Sequence, residues 1–279
     1  MHALKRVWDA WDRWFFAPAD DRNGALLRMG FALLCLWQGL ELWPDREMLL
    51  GHPGLLDPEN RAAWRFSLFA WIDAPGPLLL TWAAAASALL VGFYSRISLL
   101  VCWLFVVSVS LRGGGWTDGS DNVMRIFGLY LLFLDVGRTW SVDALRKPVE
   151  GFVSGWPLKL MTLNLILVYV KTGLIKAPGA TWQSGKAVFY SLASPTFWRF
   201  DMTPILSMEW VHPASVVMTY ATLVFEIGFP LILIRGFRNK WLLFGVFLHT
   251  GVILFMNLGL FTPAILWTYL AVVELPKRR

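Results

Sequence analysis

The chain has 279 residues, of which 57% are hydrophobic and only 16% are charged, whereas soluble domains carry about 25% charged residues. This deficit, together with 17 Trp and 20 Phe, excludes an ordinary soluble domain and indicates an integral membrane protein, because aromatic residues collect at membrane interfaces. The net charge of +6 does not indicate nucleic-acid binding, because the basic residues stand mostly between apolar runs, where they set orientation in the membrane.

The first residues, 1–23, predict a short amphipathic helix at the membrane interface. Trp8, Trp11 and Phe15 recur at helical spacing with charged residues between them, a pattern that suits a helix lying in the plane of the interface. Anchoring is the simplest role for such a helix, and recruitment of a partner is the alternative.

The remainder, residues 24–275, predicts a single all-α domain, a polytopic membrane bundle of about eight transmembrane helices. Its apolar segments have 15–21 residues, near the length that spans a bilayer. These segments are 24–43, 78–94, 97–111, 122–137, 160–175, 214–234, 241–256 and 259–274. The two cysteines lie inside apolar runs and show neither metal-ligand nor disulfide-framework spacing.

The distribution of Lys and Arg predicts the orientation of the bundle. With the N-terminus in the cytoplasm, the cytoplasmic segments hold 15 of these residues and the opposite loops hold 7. Because cytoplasmic loops carry the excess of positive charge, both termini are expected inside, and loops 44–77 and 176–213 outside.

Several ionisable side chains fall within or beside the apolar segments, where charges are rare and usually functional or paired. Arg28 and Glu274 lie at inner helix ends, where long side chains can reach the interface. The others lie deeper or toward the outside: Glu226 and His249 near mid-depth, Glu41, Arg125 and Lys171 in the outer half, and Asp118, Asp121, Lys176 and Asn257 at the outer rim. They either converge on one outward-opening cavity or form interhelical ion pairs and hydrogen bonds that hold the bundle together.

Two further expectations concern the mid-depth groups and the histidines. Glu226 and His249 should be near neighbours, because an isolated carboxylate at mid-depth would be costly. The histidines show no i,i+4 pair, so the sequence predicts no metal site.

The stretch LILVYVKTGLIKAPGATW, residues 165–182, places two lysines at the end of an apolar run. Lys171 and Lys176 are five residues apart, roughly 140° around a helix, so at most one faces a given cavity. A lysine kept from water can lose its proton and become a usable base. Lys176 stands where Pro178 and Gly179 end the helix and is expected to be the working lysine with an at least partly neutral amine, whereas Lys171 is expected to pair with a carboxylate.

Three stretches in this order resemble one known family: TWSVDAL (139–145), VYVKTGLIKAPGATWQSGKAV (168–188) and FLHTGVILFMNLGLF (247–261). DRNGALLRMGFALLCLW near the start and GSDNVMRIFGLYLLFLD in the fourth apolar segment also fit. Together they resemble the vitamin K-dependent gamma-carboxylase-like group, the HTTM family, whose name stands for horizontally transferred transmembrane domain. The resemblance covers about residues 15–275 and is closest to small bacterial members, which implies the bacterial inner membrane.

The resemblance implies particular roles for single residues. In the animal carboxylase a membrane lysine deprotonates vitamin K hydroquinone, and Lys176, followed by Trp182, matches its position. The histidine–asparagine stretch maps onto His249 and Asn257. Two departures matter: Ser120-Asp121-Asn122 stands where the carboxylase has a helpful histidine, and no counterpart of its large luminal part is seen.

Two functions follow from these observations. The first is a membrane lyase or oxidoreductase acting on a quinol-like or peptide substrate from the outer leaflet, with Lys176 as base and His249 as polariser or proton relay. Its substrate-binding residues would be Asp121, Arg125, Lys171, Trp182, Glu226 and Asn257. The alternative is a non-enzymatic module that binds, matures or exports a secreted peptide, as in the sporulation-delaying toxin system, beside a thioredoxin-like partner. A transporter is the weakest interpretation, because no inverted repeat is visible.

Overall fold

The computed structural model describes residues 2–52, 66–112, 118–147 and 153–276. Within these ranges the chain is all-helical apart from one two-stranded ribbon, as the sequence predicts. The first eight helices are α1 (His2–Phe15), α2 (Asp21–Leu42), α3 (Arg46–Leu50), α4 (Leu68–Trp71), α5 (Pro75–Val91), α6 (Ser95–Arg112), α7 (Gly119–Leu131) and α8 (Val142–Arg146).

The second half of the chain continues the helical pattern. Its helices are α9 (Trp156–Lys176), α10 (Ala180–Gln183), α11 (Ala187–Ala193), α12 (Thr203–Leu206), α13 (Val211–Ile227), α14 (Arg238–Phe255) and α15 (Phe261–Thr268). Short 3₁₀ turns cover Pro195–Phe197, Phe229–Leu233 and Tyr269–Ala271. The ribbon pairs β1 (Pro18–Ala19) antiparallel with β2 (Val153–Ser154), with Pro18 opposite Ser154.

Three helices in the described part of the chain, α2, α6 and α9, are long and apolar enough to cross a membrane. Shorter apolar helices are α5, α13 and the stretch Phe261–Ala271. Every apolar segment predicted from the sequence overlaps a helix. The prediction of an all-helical chain with membrane-length apolar helices is confirmed, and the count of eight spans stays a prediction.

One predicted segment, 214–234, is not a continuous helix. The α-helix ends at Ile227 and a 3₁₀ turn follows, with Pro230 in its first positions. Proline has no N–H to donate to the preceding turn and clashes with the backbone of a continuing helix. The chain therefore leaves the α13 axis after Ile227, the residue that follows Glu226.

The chain divides into two compact units, and each is described by itself. The first comprises Met1–Met161 and Pro263–Ala271, and the second comprises Thr162–Thr262 and Val272–Arg279. The prediction of one transmembrane domain over 24–275, preceded by an interfacial helix over 1–23, stays a prediction.

In the first unit, α2 packs against α5 and α7, and α5 and α7 each pack against α6. Large aromatic side chains fill its centre: Trp82 stacks on Phe105 at 5.7 Å and Phe31 on Trp267 at 5.4 Å between ring centroids. The core is therefore held by interlocking rings, whose dispersion contacts matter most where lipid removes the hydrophobic driving force.

The prediction that the Arg28 side chain reaches the membrane interface is wrong. The side chain is fully buried in the first unit, and its guanidinium donates to the carbonyl oxygens of Val136 at 2.8 Å and Trp140 at 2.5 Å. These carbonyls are available because the backbone leaves the helix after Leu131. Arg28 thus ties α2 to the TWSVDAL segment.

The aspartate of the same segment caps a neighbouring helix. Asp143 accepts the backbone N–H of Tyr94 at 2.9 Å and of Ser95 at 2.7 Å, at the start of α6. A carboxylate there satisfies exposed N–H groups and complements the positive end of the helix dipole. Although partial burial opposes the effect, these hydrogen bonds lower the pKa of the Asp143 carboxyl below its ordinary value.

In the second unit, α11 packs against α13, and α13 packs against α14. Outside the long helices, Trp198 forms a bridge with Met256, and the N–H of Asn257 donates to the carbonyl oxygen of Phe197 at 2.8 Å. At the other end of α14, Arg238 pairs with Glu274 at 2.5 Å. Both ends of α14 are therefore attached to neighbouring segments of the same unit.

Candidate functional site

The centre of the second unit holds an ion pair between α9 and α13. The Nζ atom of Lys176 lies 2.5 Å from Oε1 of Glu226. The carboxylate side chain is 9% exposed and the lysine side chain 32% exposed. A buried acid thus meets a base that is still partly accessible.

Local sequence explains why Lys176 reaches this position. It is the last residue of α9, and Pro178 and Gly179 follow, so the helix stops there. The chain turns into α10, which brings the ring of Trp182 to 5.0 Å from Nζ. The lysine is therefore held between a carboxylate and an aromatic face.

Close approach of the two helices depends on Gly173. A Cβ atom at this position would lie 2.8 Å from Cγ1 of Ile227 and 3.0 Å from Cβ of Glu226. Only a residue without a side chain allows α9 and α13 to pack at this separation, as small residues do in many membrane helix pairs. Gly173 is thus a condition for the Lys176–Glu226 contact.

A second polar contact lies two turns before Lys176 on α9. The hydroxyl of Tyr169 lies 2.9 Å from Nε2 of His249 on α14. The Tyr169 ring stacks on Phe229 at 4.2 Å and meets Phe225 edge-on at 5.1 Å. The phenol is thereby held between two aromatic rings, one on α13 and one on the 3₁₀ turn that follows it.

Glu226 was predicted to be a near neighbour of His249, but the polar partner that the structure gives it is Lys176. Glu226 pairs with Lys176 and His249 with Tyr169, so α9 supplies a partner to each of the two mid-depth groups. The requirement for a polar partner at Glu226 is met, but by the lysine. Direct contact between Glu226 and His249 stays a prediction.

Lys171 does not form the ion pair with a carboxylate that was predicted for it. Its side chain is exposed, and in the described ranges it forms no ion pair. The carboxylate partner expected for Lys171 belongs to Lys176 instead. This is a correction, and its cause is helix geometry: both lysines belong to α9, and five residues turn the side chain by roughly 140°, so Lys176 contacts α13 and Lys171 stays exposed.

The contact with Glu226 fixes the position of Lys176 along α13, and the membrane depths of both residues stay predictions. Glu226 lies about 22 Å along α13 from Val211, at 1.5 Å per residue, and Lys176 touches it. Beyond Lys176 the chain follows α13 back toward Val211, where Val188 N–H donates to Thr219 Oγ1 at 3.1 Å. Lys176 therefore contacts α13 near its last turn, whereas α11 contacts α13 nearer to Val211.

The predicted residues of the first unit form local contacts there. Asp121 is buried and accepts from Gln38 Nε2 at 2.8 Å and from the N–H of Asp118 at 2.9 Å, which caps α7 and links it to α2. Arg125 donates to Asn122 at 2.9 Å on an exposed face. These contacts favour the bundle-holding alternative for Asp121. Substrate binding by Asp121 and Arg125 stays a prediction.

Other predicted groups have peripheral places. Glu41 is exposed and accepts from Trp37 Nε1 at 2.8 Å. Asn257 is exposed, and its backbone holds the segment at Phe197. Among the described residues no group of three His, Cys, Asp or Glu side chains could hold a metal ion.

Of two further residues of the site, Tyr169 was not singled out from the sequence, and Gly173 was noted only as part of the family motif before Lys176. They stand seven and three residues before Lys176, the spacings that share one helix face. A search along the face of the working lysine would have found both. Trp182, which was singled out, lies beside the lysine.

The comparisons with known proteins identify the family. No solved structure matches this chain. The family model for the HTTM domain matches residues 16–275, nearly the whole chain and almost the range over which the motifs resemble the family. The chain therefore belongs to the HTTM family, the family of the membrane part of the vitamin K-dependent carboxylase.

Proposed function

We propose that this HTTM protein is a membrane enzyme that removes a proton from a weakly acidic substrate at the Lys176–Glu226 pair. The supporting observation is that this pair lies at a helix break inside the second unit, with the acid buried and the lysine one-third exposed. An ion pair kept from water is costly and contributes little to stability. Charged groups held in such an environment concentrate at functional sites.

The surrounding side chains have complementary roles in this proposal. Lys176 is reachable by a substrate and places a positive charge where an anion would form. Trp182 offers a flat aromatic surface beside it. Tyr169 fixes the ring of His249 through the 2.9 Å hydrogen bond, so that His249 serves as polariser or proton relay.

A quinol fits the chemistry of these groups. The Glu226 carboxylate lies 2.5 Å from Nζ of Lys176, and the lysine is partly exposed, so the pair can take up the proton of a hydroxyl that reaches the lysine. Lys176 can donate to the resulting oxygen. When bound, a quinol would supply a hydroxyl acidic enough to lose its proton and a ring that oxygen can oxidise. This supports a lyase or oxidoreductase over a passive role.

The alternative is a module that binds a secreted peptide, and one observation favours it. Exposed aromatic side chains stand on the segments between α9 and α13, namely Tyr190, Phe197, Phe200 and Trp210. Aromatic residues of this kind are enriched at protein interfaces. A peptide or thioredoxin-like partner would then bind outside the bundle, and Lys176 would be structural.

The experiment that separates the two uses purified protein in lipid nanodiscs with a chemically reduced naphthoquinol under air. Quinol consumption and products are followed by mass spectrometry for the wild type and for Lys176→Met. We expect consumption by the wild type to be at least about a hundredfold faster than by the variant, a typical contribution of acid–base groups.

The matched control is Lys186→Met, because Lys186 is an exposed lysine ten residues further along the chain. It should consume quinol like the wild type. Equal rates in Lys176→Met and the wild type would remove the catalytic interpretation and leave the peptide-binding module.

A further inference from the structure

The second half of α2 presents one exposed apolar stripe. Leu33, Trp37 and Leu40 are 55%, 46% and 73% exposed, whereas Gln38 on the opposite side of the helix is buried. The exposed residues recur every three or four positions, which places them on one helix face. Because α2 is long and apolar enough to cross a membrane, this stripe is suited to contact with lipid chains, which are as apolar as leucine.

The same face carries an open groove of about 550 Å³. Its lining residues are Leu33, Leu36, Trp37, Leu40 and Glu41. From Leu33 to Glu41 the groove follows α2 for about 12 Å, at 1.5 Å per residue. A carboxylate thus stands at one end of an otherwise apolar groove, one residue before the helix ends at Leu42.

Glu41 has no cationic partner in the described part of the chain. Its Oε1 atom accepts from Nε1 of Trp37 at 2.8 Å, which holds the carboxylate beside the indole, and it forms no ion pair with the residues described. The last turn of α2 contains no basic residue. The next cation along the chain, Arg46, lies over the ring of Trp43 and pairs with Glu47.

Charged side chains in membrane helices almost always face the bundle interior or a water-filled cavity. Glu41 is exposed instead, and it stands where the negative end of the helix dipole also attracts a cation. This position favours a cation that comes from the surroundings of the chain. A primary ammonium fits best, because it donates a charge-assisted hydrogen bond to a carboxylate and is attracted to the face of an indole ring such as Trp37.

We propose that the groove on α2 binds a phospholipid with a primary-amine headgroup, of the phosphatidylethanolamine class. The ammonium of the headgroup pairs with Glu41, and an acyl chain lies along the three leucines of the groove. The order of the lining residues matches such a lipid, because the charge stands at the helix end and the apolar part toward the helix centre. This inference does not depend on the proposed chemistry, whose residues lie on α9, α13 and α14.

Native mass spectrometry of the purified protein, released from a neutral detergent, tests the proposal. The protein is titrated separately with phosphatidylethanolamine and phosphatidylglycerol that carry identical acyl chains. We expect the wild type to bind phosphatidylethanolamine about tenfold more tightly, as a charge-assisted hydrogen bond would give. Glu41→Gln keeps the size of the side chain but removes its charge, so it should bind the two lipids alike.

Glu209→Gln is the matched control, because Glu209 is also an exposed glutamate, and it should keep the wild-type preference. Trp37→Phe retains a ring but removes the Nε1 donor to Glu41, so it should lower the preference only in part. Free phosphoethanolamine has the headgroup without acyl chains. At the concentration of the lipid it should displace no bound phosphatidylethanolamine.

Four results would overturn the proposal. Equal binding of both lipids by the wild type, or an unchanged preference in Glu41→Gln, would remove Glu41 as the recognition group. Displacement by free phosphoethanolamine would assign the carboxylate to a soluble amine. A wild-type dimer that dissociates in Glu41→Gln would assign this face of α2 to a second copy of the chain.

Discussion

At the scale of single residues, Lys176 is expected to contribute to stability as well as to chemistry. Lys176→Met leaves the Glu226 carboxylate buried without its counter-charge. We expect the free energy of unfolding to fall by about 1–3 kcal/mol, less than the 3–5 kcal/mol of a fully buried pair, because the lysine is 32% exposed. Thermal melting in nanodiscs measures the change.

The control for this prediction is Lys171→Met. Lys171 lies five residues earlier on the same helix and is exposed, so its removal should change stability by less than about 0.5 kcal/mol. A larger loss in Lys171→Met than in Lys176→Met would restore the assignment that the sequence alone indicated.

Asp143 provides a prediction that depends on pH. Its folded-state pKa is below the ordinary value of 3.8, so its stabilising effect is complete above that value and disappears as pH falls through the folded-state pKa. Asp143→Ala should cost about 0.5–2 kcal/mol at neutral pH, as lost helix caps do. The difference from the wild type should shrink below about pH 4.

Melting curves between pH 3 and 7 check this sign. Asp45→Ala is the control, because Asp45 is an exposed aspartate that precedes α3 without a side-chain capping bond. It should change stability by less than about 0.5 kcal/mol at any of these pH values. A difference for Asp143→Ala that grows on acidification would contradict the capping role.

At the scale of helices, the α9–α13 contact is set by Gly173. Alanine normally favours a helix over glycine by about 1 kcal/mol, but here its Cβ would press on Ile227 and Glu226. Overpacking of this kind costs about 1–3 kcal/mol, so Gly173→Ala should lower the melting temperature and weaken the Lys176–Glu226 contact.

Gly251 on α14 supplies the matched variant. A Cβ there meets nothing within 4 Å, so Gly251→Ala should keep or raise the melting temperature. If Gly173→Ala were also stabilising, the close approach of α9 and α13 would not govern the site.

Helices as elements could be predicted from the sequence, whereas the pairing at the site could not. Hydropathy places an apolar helix near each predicted segment because membrane spans need long apolar runs. The partner of Lys176 stands 50 residues away on α13, and nothing local in either helix specifies their register. The sequence predicts that α9 ends near Pro178. The position of this helix end along α13 depends on tertiary packing and cannot be predicted from either segment alone.

The TWSVDAL motif likewise could be recognised from the sequence, but its contacts could not be predicted. The sequence indicated that the TWSVDAL segment matters, and the resemblance gave it a family. Its physical role required the structure: the buried Arg28 donates to the carbonyl oxygens of Thr139 and Trp140, and Asp143 caps α6. Charged residues near apolar segments are ambiguous, because the same residue types serve helix capping, ion pairing and catalysis.

At the scale of the whole molecule, the remaining prediction is orientation in the bacterial inner membrane. The excess of Lys and Arg, 15 against 7, predicts that both termini are cytoplasmic. Single cysteines at Ser207 and Lys147, both exposed positions, test it with a thiol reagent that does not cross membranes. The native Cys35 and Cys102 are buried and should stay unlabelled.

In intact cells with a permeable outer membrane, Ser207→Cys should be labelled, and Lys147→Cys should react only after lysis. The reason is that Ser207 lies in loop 176–213, opposite the basic segments, whereas Lys147 belongs to the basic segment 138–159. The reverse labelling pattern would show that the orientation in the membrane is opposite to the predicted one. The partly exposed face of Lys176 would then have to be reached from the cytoplasmic leaflet, and a secreted peptide could be its substrate only before export.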